Sequence, residues 1–203
     1  KGKPVIVSTG MSLLDEIAET VKVFKDAGTP LILTHCVSAY PCPYNRVNLG
    51  MVPRLEEMFD VPVGLSDHTP SIYTALGAIA LGACVIEKHF TFNRSLPGPD
   101  HKSSIESYEL GELVKGCRAV YEARGAEREI FPEEQQIVAW ARESVVSLKD
   151  IHKDSVITAD MVSVKRPSPG KGAIPAKHLA EVIGKIAKAD IAADRQLLWS
   201  DVA

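Results

Sequence analysis

The chain has 203 residues, of which 45% are hydrophobic and 24% are charged, and its formal net charge is −3. This is the composition of ordinary globular domains, and it lacks the basic excess that marks a nucleic-acid-binding protein. The longest nearly apolar stretch, 73–86, is too short to span a bilayer, so we expect neither a nucleic acid nor a membrane as a partner.

Predicted strands and helices alternate along the first 124 residues. Continuous apolar runs, typical of a parallel sheet covered on both faces, predict strands over 4–9, 31–36, 61–65 and 84–90. Apolar side chains at helical spacing predict helices after Ser12, over 52–59, over 71–83 and after Ser103. Asp15 and Glu106, three residues after the two serines, complete N-terminal capping pairs. Four such units form half of a (β/α)8 barrel or a small open doubly wound sheet.

Two histidines stand at the ends of neighbouring predicted strands, His68 after the third and His89 on the fourth. Strands joined through a helix run parallel, so both histidines lie at the carboxyl edge of the sheet, where α/β proteins bind ligands. Imidazole is a good ligand for first-row divalent metals, and the pair predicts a metal site. The alternative is a hydrogen-bonded core histidine, which is the commoner situation for an isolated one.

The four cysteines, Cys36, Cys42, Cys84 and Cys117, show neither a Cys-x-x-Cys pair nor a zinc-finger spacing. They are typical of a reduced, cytoplasmic protein, and we expect Cys84 and Cys117 in the core. No signal peptide is recognisable, which agrees with a cytoplasmic location.

The sequence pattern changes after the last of these helices. Charged residues and Pro132 indicate a connector. Beyond it, a small β-rich domain is predicted by a short helix at 175–183 and by strand-like runs at 144–148, 162–164 and 186–191. We therefore divide the chain into 1–124, 125–141 and 142–203.

Five segments, in a fixed order, carry a family resemblance. They read Ser8-Thr9-Gly10-Met11, His35-Cys36-Val37-Ser38-Ala39-Tyr40-Pro41, Gly64-Leu65-Ser66-Asp67-His68-Thr69, Glu87-Lys88-His89-Phe90-Thr91 and Gly98-Pro99-Asp100-His101-Lys102. In this order and spacing the chain resembles the sialic acid synthase family, which comprises the N-acetylneuraminate synthases and their legionaminate and pseudaminate relatives. The tail, with Val164-Lys165-Arg166-Pro167, resembles the family's C-terminal antifreeze-like (SAF) domain.

The resemblance implies an α/β fold: the C-terminal half of a (β/α)8 TIM barrel, strands five to eight, followed by a small β-rich SAF domain of the β-clip type. Family members have a complete barrel, whose first half supplies further substrate-binding residues. We therefore expect these 203 residues to be a fragment of a longer enzyme and to be inactive alone.

The resemblance also implies a reaction. Family members condense phosphoenolpyruvate with an open-chain N-acetylated hexose, typically N-acetylmannosamine, and release phosphate, while a divalent ion, Mn²⁺ or Mg²⁺, activates the sugar aldehyde. In the matching segments His68 and His89 correspond to the metal ligands and Glu87 to the catalytic carboxylate. Asp67 or Glu87 could accept a hydrogen bond from the second ring nitrogen of a histidine, although strand alternation points such neighbours to the other face.

The phosphoenolpyruvate site is implied at the carboxyl ends of the strands, by Ser8, Thr9, Gly10, Ser38 and Ser66. Hydroxyl groups and open backbone amides suit phosphate oxygens. The alternative for the serines and threonine is ordinary strand-to-helix capping.

The sugar site is implied by Tyr40, Asp100 and Arg166. In the family this arginine reaches into the active site of the other subunit, so the resemblance implies a domain-swapped homodimer. On position alone, Tyr40 is equally well a loop anchor and Arg166 a solvated surface charge.

The identity of the sugar stays open. N-acetylneuraminate synthases often carry Asn where this chain has Ser38, so a neuraminate or a legionaminate precursor is compatible with the sequence. Two further alternatives are a non-catalytic SAF-domain binding module and a synthase of another keto-deoxy sugar acid.

Overall fold

The computed structural model describes residues 2–167 and 172–203. The chain divides into two compact units, Lys1–Ala126 and Glu127–Ala203. No helix among the described residues combines the length and the apolar character that a membrane span requires.

The first unit is a four-stranded parallel sheet with the strands in chain order. Its strands are β1 (Val5–Ser8), β2 (Leu31–Cys36), β3 (Val63–Asp67) and β4 (Ile86–Lys88). Each strand is followed by a helix, in order α1 (Leu14–Asp26), α2 (Met51–Phe59), α3 (Tyr73–Ala80) and α4 (Ser107–Glu122). Four parallel βα units in sequential order are half of a (β/α)8 barrel, as the sequence predicts.

The strand register brings the carboxyl ends of the strands level with one another. Cys36 at the end of β2 pairs with Ser66 on β3, and Ser66 in turn pairs with Glu87 on β4. Gly64 permits the approach of the two strands, because a Cβ atom there would lie 2.4 Å from the carbonyl oxygen of Val85. The segments that follow the strands therefore start from one edge of the sheet.

Two helices start later than the capping pairs predict. α1 begins at Leu14, and the carboxylate of Glu16, not Asp15, accepts the backbone N–H of Leu13 at 2.7 Å. α4 begins at Ser107, because His101–Ser103 forms a separate 3₁₀ turn. Glu106 is the N-cap residue of α4: its backbone N–H donates to Glu109 at 2.9 Å, and its carboxylate accepts the backbone N–H of Arg94 at 2.9 Å.

The second unit is built around β5 (Ser144–Ser147) and β6 (Val162–Lys165), which pair antiparallel. Two short helices belong to it, α5 (Gln135–Ala141) and α6 (Leu179–Val182). The predicted strand at 186–191 makes isolated bridges only, such as Ile191 with Ile151. The predicted connector contains α5, and the predicted helix at 175–183 is a 3₁₀ turn followed by α6.

Each unit has its own apolar core. In the first unit the fully buried side chains include Leu33, Val52 and Leu55. In the second they include Val145, Ile157, Ile174 and Leu197. Burial of this kind is the main source of folding free energy.

All four cysteines are free. Cys36 and Cys42 are buried, Cys117 is partly buried and Cys84 is exposed, so the expectation that Cys84 lies in the core is wrong. Cys84 precedes β4 in the turn after α3, where its side chain stays at the surface.

Candidate active site

The two histidines at the carboxyl edge of the sheet lie side by side. His68 directly follows β3 and His89 directly follows β4, and these strands are parallel neighbours in register. Their ring centroids are 5.2 Å apart and the ring planes are nearly perpendicular, at 87°. His68 is buried, with 5% of its surface exposed, whereas the His89 side chain is 28% exposed. The sheet thus presents one enclosed and one accessible imidazole at the same edge.

The ring of His68 is held by a main-chain group. Its Nδ1 lies 2.9 Å from the carbonyl oxygen of Val37, in the segment after β2. A carbonyl oxygen only accepts hydrogen bonds, so Nδ1 carries a proton, and in the neutral ring Nε2 is left with a lone pair. Neither Asp67 nor Glu87 accepts this hydrogen bond: Asp67 pairs with Lys88 and Glu87 with Ser66. A neutral imidazole with a free Nε2 is the form that binds metals.

Tyr40 and Asp100 border the two imidazoles. The Tyr40 ring centroid lies 4.2 Å from that of His68 and 5.6 Å from that of His89. Oδ2 of Asp100 is 3.9 Å from Nδ1 of His89, and the aspartate side chain is 62% exposed. An aromatic face and a carboxylate beside the accessible imidazole form an open polar surface suited to a hydroxylated ligand.

The loop that carries Asp100 is anchored at both ends. Arg94 donates its backbone N–H to Glu106 at 2.9 Å and its Nε–H to the carbonyl oxygen of Ser104 at 2.9 Å, and its guanidinium pairs with Glu109. His101 Nδ1 lies 2.8 Å from the hydroxyl of Thr91. These contacts fix the loop against the start of α4 and thereby limit the positions of Asp100.

Glu87 is oriented by a serine on the neighbouring strand. The hydroxyl of Ser66, which is 3% exposed, donates to Oε1 of Glu87 at 3.0 Å. Glu87 itself is exposed. The Ser66 hydroxyl is therefore engaged with the carboxylate, and this pair lies two residues before the histidines on β3 and β4.

At the end of β1, Gly10 lies against Ser38. A Cβ atom on Gly10 would lie 2.5 Å from Oγ of Ser38, so a larger residue here would displace the Ser38 side chain. The hydroxyl of Thr9 donates to the carbonyl oxygen of Thr34 at 3.0 Å, and Oγ of Ser8 accepts the N–H of Gly10 at 3.4 Å. Ser8 thus makes a local contact, whereas Thr9 bonds across to β2 and Gly10 meets Ser38 across two strand ends.

A buried ion pair is formed by the residues that immediately precede the two histidines, Asp67 and Lys88. Nζ of Lys88 is 3.1 Å from Oδ2 of Asp67, and the two side chains are 3% and 0% exposed. Burial lowers the pKa of Lys88, and the facing carboxylate of Asp67 opposes that change. The sequence reading did not assign Lys88 a role. Opposite charges next to the two histidines suggest an ion pair, and the register confirms it, since Asp67 and Lys88 are paired positions on β3 and β4.

Arg166 belongs to the second unit. Its guanidinium carbon is 5.9 Å from the centroid of the Trp140 ring. It lines a cavity of about 590 Å³ together with Arg142, Glu143 and Lys177. Three cations and one carboxylate give this cavity a positive balance.

The donor set at the carboxyl edge fits a divalent ion that keeps part of its shell for other ligands. Among residues 2–167 and 172–203, no group of three or more His, Cys, Asp or Glu side chains is arranged to hold a metal. Two neighbouring imidazoles, one with Nε2 free, supply two ligands. Mn²⁺ and Mg²⁺ prefer six, often with several waters, so the remaining positions suit water or substrate oxygens.

Comparison with known proteins matches both units to known families. Residues 1–129 match the model of the NeuB family, and residues 142–203 match that of the SAF domain. The N,N'-diacetyllegionaminic acid synthase of Campylobacter jejuni is 41% identical over 189 residues, 91% of this chain and 56% of that protein. The human N-acetylneuraminate-9-phosphate synthase is 34% identical over 187 residues, 91% of this chain and 52% of that protein.

A solved structure gives the same result for the fold. The N-acetylneuraminic acid (sialic acid) synthetase of Leptospira borgpetersenii, crystallised with citrate, superposes with a TM-score of 0.61 at 38% identity. The match covers 66% of this chain and 47% of that one. The chain thus spans about half the length of the relatives it matches.

Proposed function

Because the chain belongs to the NeuB family of sialic, legionaminic and pseudaminic acid synthases and carries a SAF domain, we propose that it forms part of the active site of a metal-dependent synthase. The reaction joins carbon 3 of phosphoenolpyruvate to the aldehyde carbon of an N-acetylated hexose. Water then adds to carbon 2, and phosphate leaves. The observation that carries the proposal is the adjacency of the His68 and His89 rings, 5.2 Å apart, with Tyr40 beside both.

The metal site of the proposal consists of His68 through Nε2, His89, and oxygens of water and of the sugar. When bound there, Mn²⁺ or Mg²⁺ polarises the aldehyde carbonyl as a Lewis acid. The hydrogen bond from His68 to the Val37 carbonyl oxygen, 2.9 Å long, selects the tautomer of the neutral ring in which Nε2 has the lone pair, and it directs Nε2 away from that carbonyl.

Glu87 is the acid–base group of the proposal. Ser66 donates to Oε1, which leaves Oε2 to accept a proton from the water that adds to carbon 2. General-base assistance of this kind contributes about 10²–10⁴-fold to a rate. The exposed position of Glu87 suits contact with a substrate.

The substrates are recognised by the surrounding groups. Gly10 and Ser38, with Ser8, Thr9 and Ser66 at the same strand ends, bind phosphoenolpyruvate through hydroxyl and backbone N–H groups. Tyr40 covers an apolar face of the sugar and Asp100 accepts its hydroxyl groups. Arg166 contacts the N-acyl group across the subunit interface of a domain-swapped homodimer.

The legionaminate precursor, a diacetylated hexose, is a second candidate for the sugar. The C. jejuni N,N'-diacetyllegionaminic acid synthase is 41% identical to this chain, against 34% for the human N-acetylneuraminate-9-phosphate synthase. Ser38 in place of Asn agrees with a sugar other than N-acetylmannosamine.

The test uses the natural-length protein that contains this chain. Phosphate release is followed with phosphoenolpyruvate, a panel of mono- and diacetylated hexoses, and either Mn²⁺ or EDTA. We expect sugar-dependent release that EDTA abolishes and that His68→Ala/His89→Ala reduces to background. The control is His152→Ala, an 86% exposed histidine of the second unit. Release that needs no sugar would reject the synthase, and release that survives the double change would reject the metal site.

A further inference from the structure

The buried pair of Asp67 and Lys88 has no place in the chemistry proposed above. Side chains alternate between the two faces of a strand, so Ser66, Glu87 and the histidines share one face and the ion pair occupies the other. Asp67 and Lys88 are nevertheless paired positions of β3 and β4, and they lie between the paired Ser66 and Glu87 and the two histidines. It therefore sits at the level where β3 and β4 deliver their reactive side chains.

Stability alone does not account for a charged pair at this place. The desolvation penalty of two buried charges often exceeds their attraction, and apolar replacements of similar volume are frequently neutral or stabilising. With 3% and 0% of their side-chain surfaces exposed, Lys88 and Asp67 bear that penalty in full. Buried ionic groups that fix one local arrangement are a known use of such pairs.

The hydrogen bonds of the pair join the two histidine segments. Nζ of Lys88 donates to the main-chain carbonyl oxygen of Thr69 and lies 3.5 Å from its hydroxyl. Lys88 immediately precedes His89, and Thr69 immediately follows His68. The Lys88 side chain thus links the segment just before His89 to the segment just after His68.

Asp67 closes the same network from the other strand. Its Oδ1 accepts the backbone N–H of Thr69 at 2.9 Å, and its Oδ2 accepts the hydroxyl of Thr74 at 2.8 Å. The hydroxyls of Thr69 and Thr74 lie 2.8 Å apart. Each member of the ion pair is therefore hydrogen-bonded to one or both of these threonines, and the turn that starts at His68 is held to β3, β4 and α3.

We propose that Asp67 and Lys88 are positioning residues that set the separation and relative orientation of His68 and His89. The inference rests on the proposed function, since it gives the two imidazoles a shared task. A direct ligand or a substrate contact is not involved, because the pair lies on the other face of the strands.

The test compares three variants of the natural-length protein with the wild type. Asp67→Asn/Lys88→Met removes both charges, keeps an acceptor at position 67 and deletes the link from position 88 to Thr69. Lys88→Met alone leaves an uncompensated carboxylate, which the double variant avoids if the single one fails to fold. Lys22→Met removes an exposed helical ion pair with Asp26 and serves as the control.

Two readouts separate positioning from folding. The first is Mn²⁺ affinity from water-proton relaxation, for which we expect a loss of about tenfold or more in a double variant that unfolds cooperatively. The second is metal-free: the nuclear Overhauser effect between the rings of His68 and His89, in protein labelled at histidine, which we expect to weaken strongly in the double variant. The wild type and Lys22→Met keep both signals.

The outcomes distinguish a failure of the positioning role from a failure of the proposed metal site. A wild type that binds no Mn²⁺ would overturn the metal part of the proposed function, and the ring-to-ring signal then decides the inference alone. A folded double variant with an unchanged ring-to-ring signal would overturn the inference, whatever the metal result.

Discussion

Nδ1 of His68 lies 2.9 Å from the main-chain carbonyl oxygen of Val37, which is 31 positions earlier in the chain. The segment after β2 thus fixes the tautomer of a histidine at the end of β3. The imidazole has both an assigned proton and an assigned lone pair before any ligand arrives.

This contact makes the two amide replacements of His68 unequal. In His68→Asn the side-chain amide takes the place of Nδ1 and keeps a donor for Val37, but no atom replaces Nε2. We expect the free energy of unfolding to change by about 1 kcal/mol, while Mn²⁺ affinity falls by about tenfold or more. Urea unfolding and Mn²⁺ titration measure the two quantities.

In His68→Gln the amide takes the place of Nε2 and the Val37 carbonyl loses its donor. We expect this variant to be the less stable of the two, because a buried acceptor is left without a partner, at about 1–3 kcal/mol. Equal stabilities would contradict the tautomer.

Removal of the serine that orients Glu87 should slow the reaction and also weaken the binding of phosphoenolpyruvate. In Ser66→Ala the carboxylate loses its 3.0 Å hydrogen bond, and we expect kcat to fall by about tenfold, while the lost hydroxyl raises the KM for phosphoenolpyruvate but not for the sugar. Glu87→Gln should cost about 10²–10⁴-fold in kcat. Ser200→Ala, at an exposed serine of the second unit, is the matched control, and an equal loss there would argue against the assignment.

The free energy of unfolding should fall more when one charge of the buried ion pair is removed than when both are removed. Lys88→Met alone leaves Asp67 charged and buried, so we expect a loss of about 3–5 kcal/mol in the free energy of unfolding. Adding Asp67→Asn should restore most of it, because the isolated charge is gone. Lys22→Met, in an exposed pair, should cost less than about 1 kcal/mol. A double variant no more stable than the single one would count against an unpaired charge as the cause.

Acidification should weaken the fold through His35. Its ring is 7% exposed and Nε2 lies 2.7 Å from the carbonyl oxygen of Val47. Burial lowers its pKa below 6.5, and the hydrogen bond to Val47 opposes this only in part. The unfolded state therefore binds a proton first as the pH falls, so the stabilisation is complete above about pH 6.5 and is lost below it, down to the pKa of the folded state.

The comparison of wild type with His35→Gln isolates this effect. Glutamine keeps a neutral donor for Val47 but cannot titrate. We expect the difference in unfolding free energy between wild type and variant to change with pH by at most about 1.4 kcal/mol per unit below pH 6.5. Urea unfolding between pH 5 and 7.5 measures it, and parallel curves would exclude His35 as the titrating group.

Apolar periodicity predicted the four βα units because strand and helix patterns differ in period. β2 agrees with its predicted bounds residue for residue, at Leu31–Cys36. The starts of α1 and α4 were misplaced, since several acidic residues compete for the same cap and only the folded chain decides between Asp15 and Glu16. The isolated bridges of the second unit, such as Ile151 with Ile191, arise from tertiary pairing that local patterns do not encode.

Within the site, the sequence could place the two histidines at one sheet edge because parallel strands end together. It could not identify the Val37 carbonyl as the partner of His68, since every residue carries a carbonyl group. It also suggested Asp67 for that task, whereas the side chain of Asp67 turns to Lys88 on the opposite face.

The strict alternation of β4 has a consequence for the lengths of chain that this protein tolerates. Lys88 stands between Glu87 and His89 in the alternation of β4. Loss or gain of one residue in the turn before β4 would therefore place the ammonium group on the face that Glu87 and His89 now occupy, and would move those two side chains to the opposite face. A two-residue change preserves the parity of the strand. Natural and engineered length variation in the turn before β4 should therefore occur only in even steps.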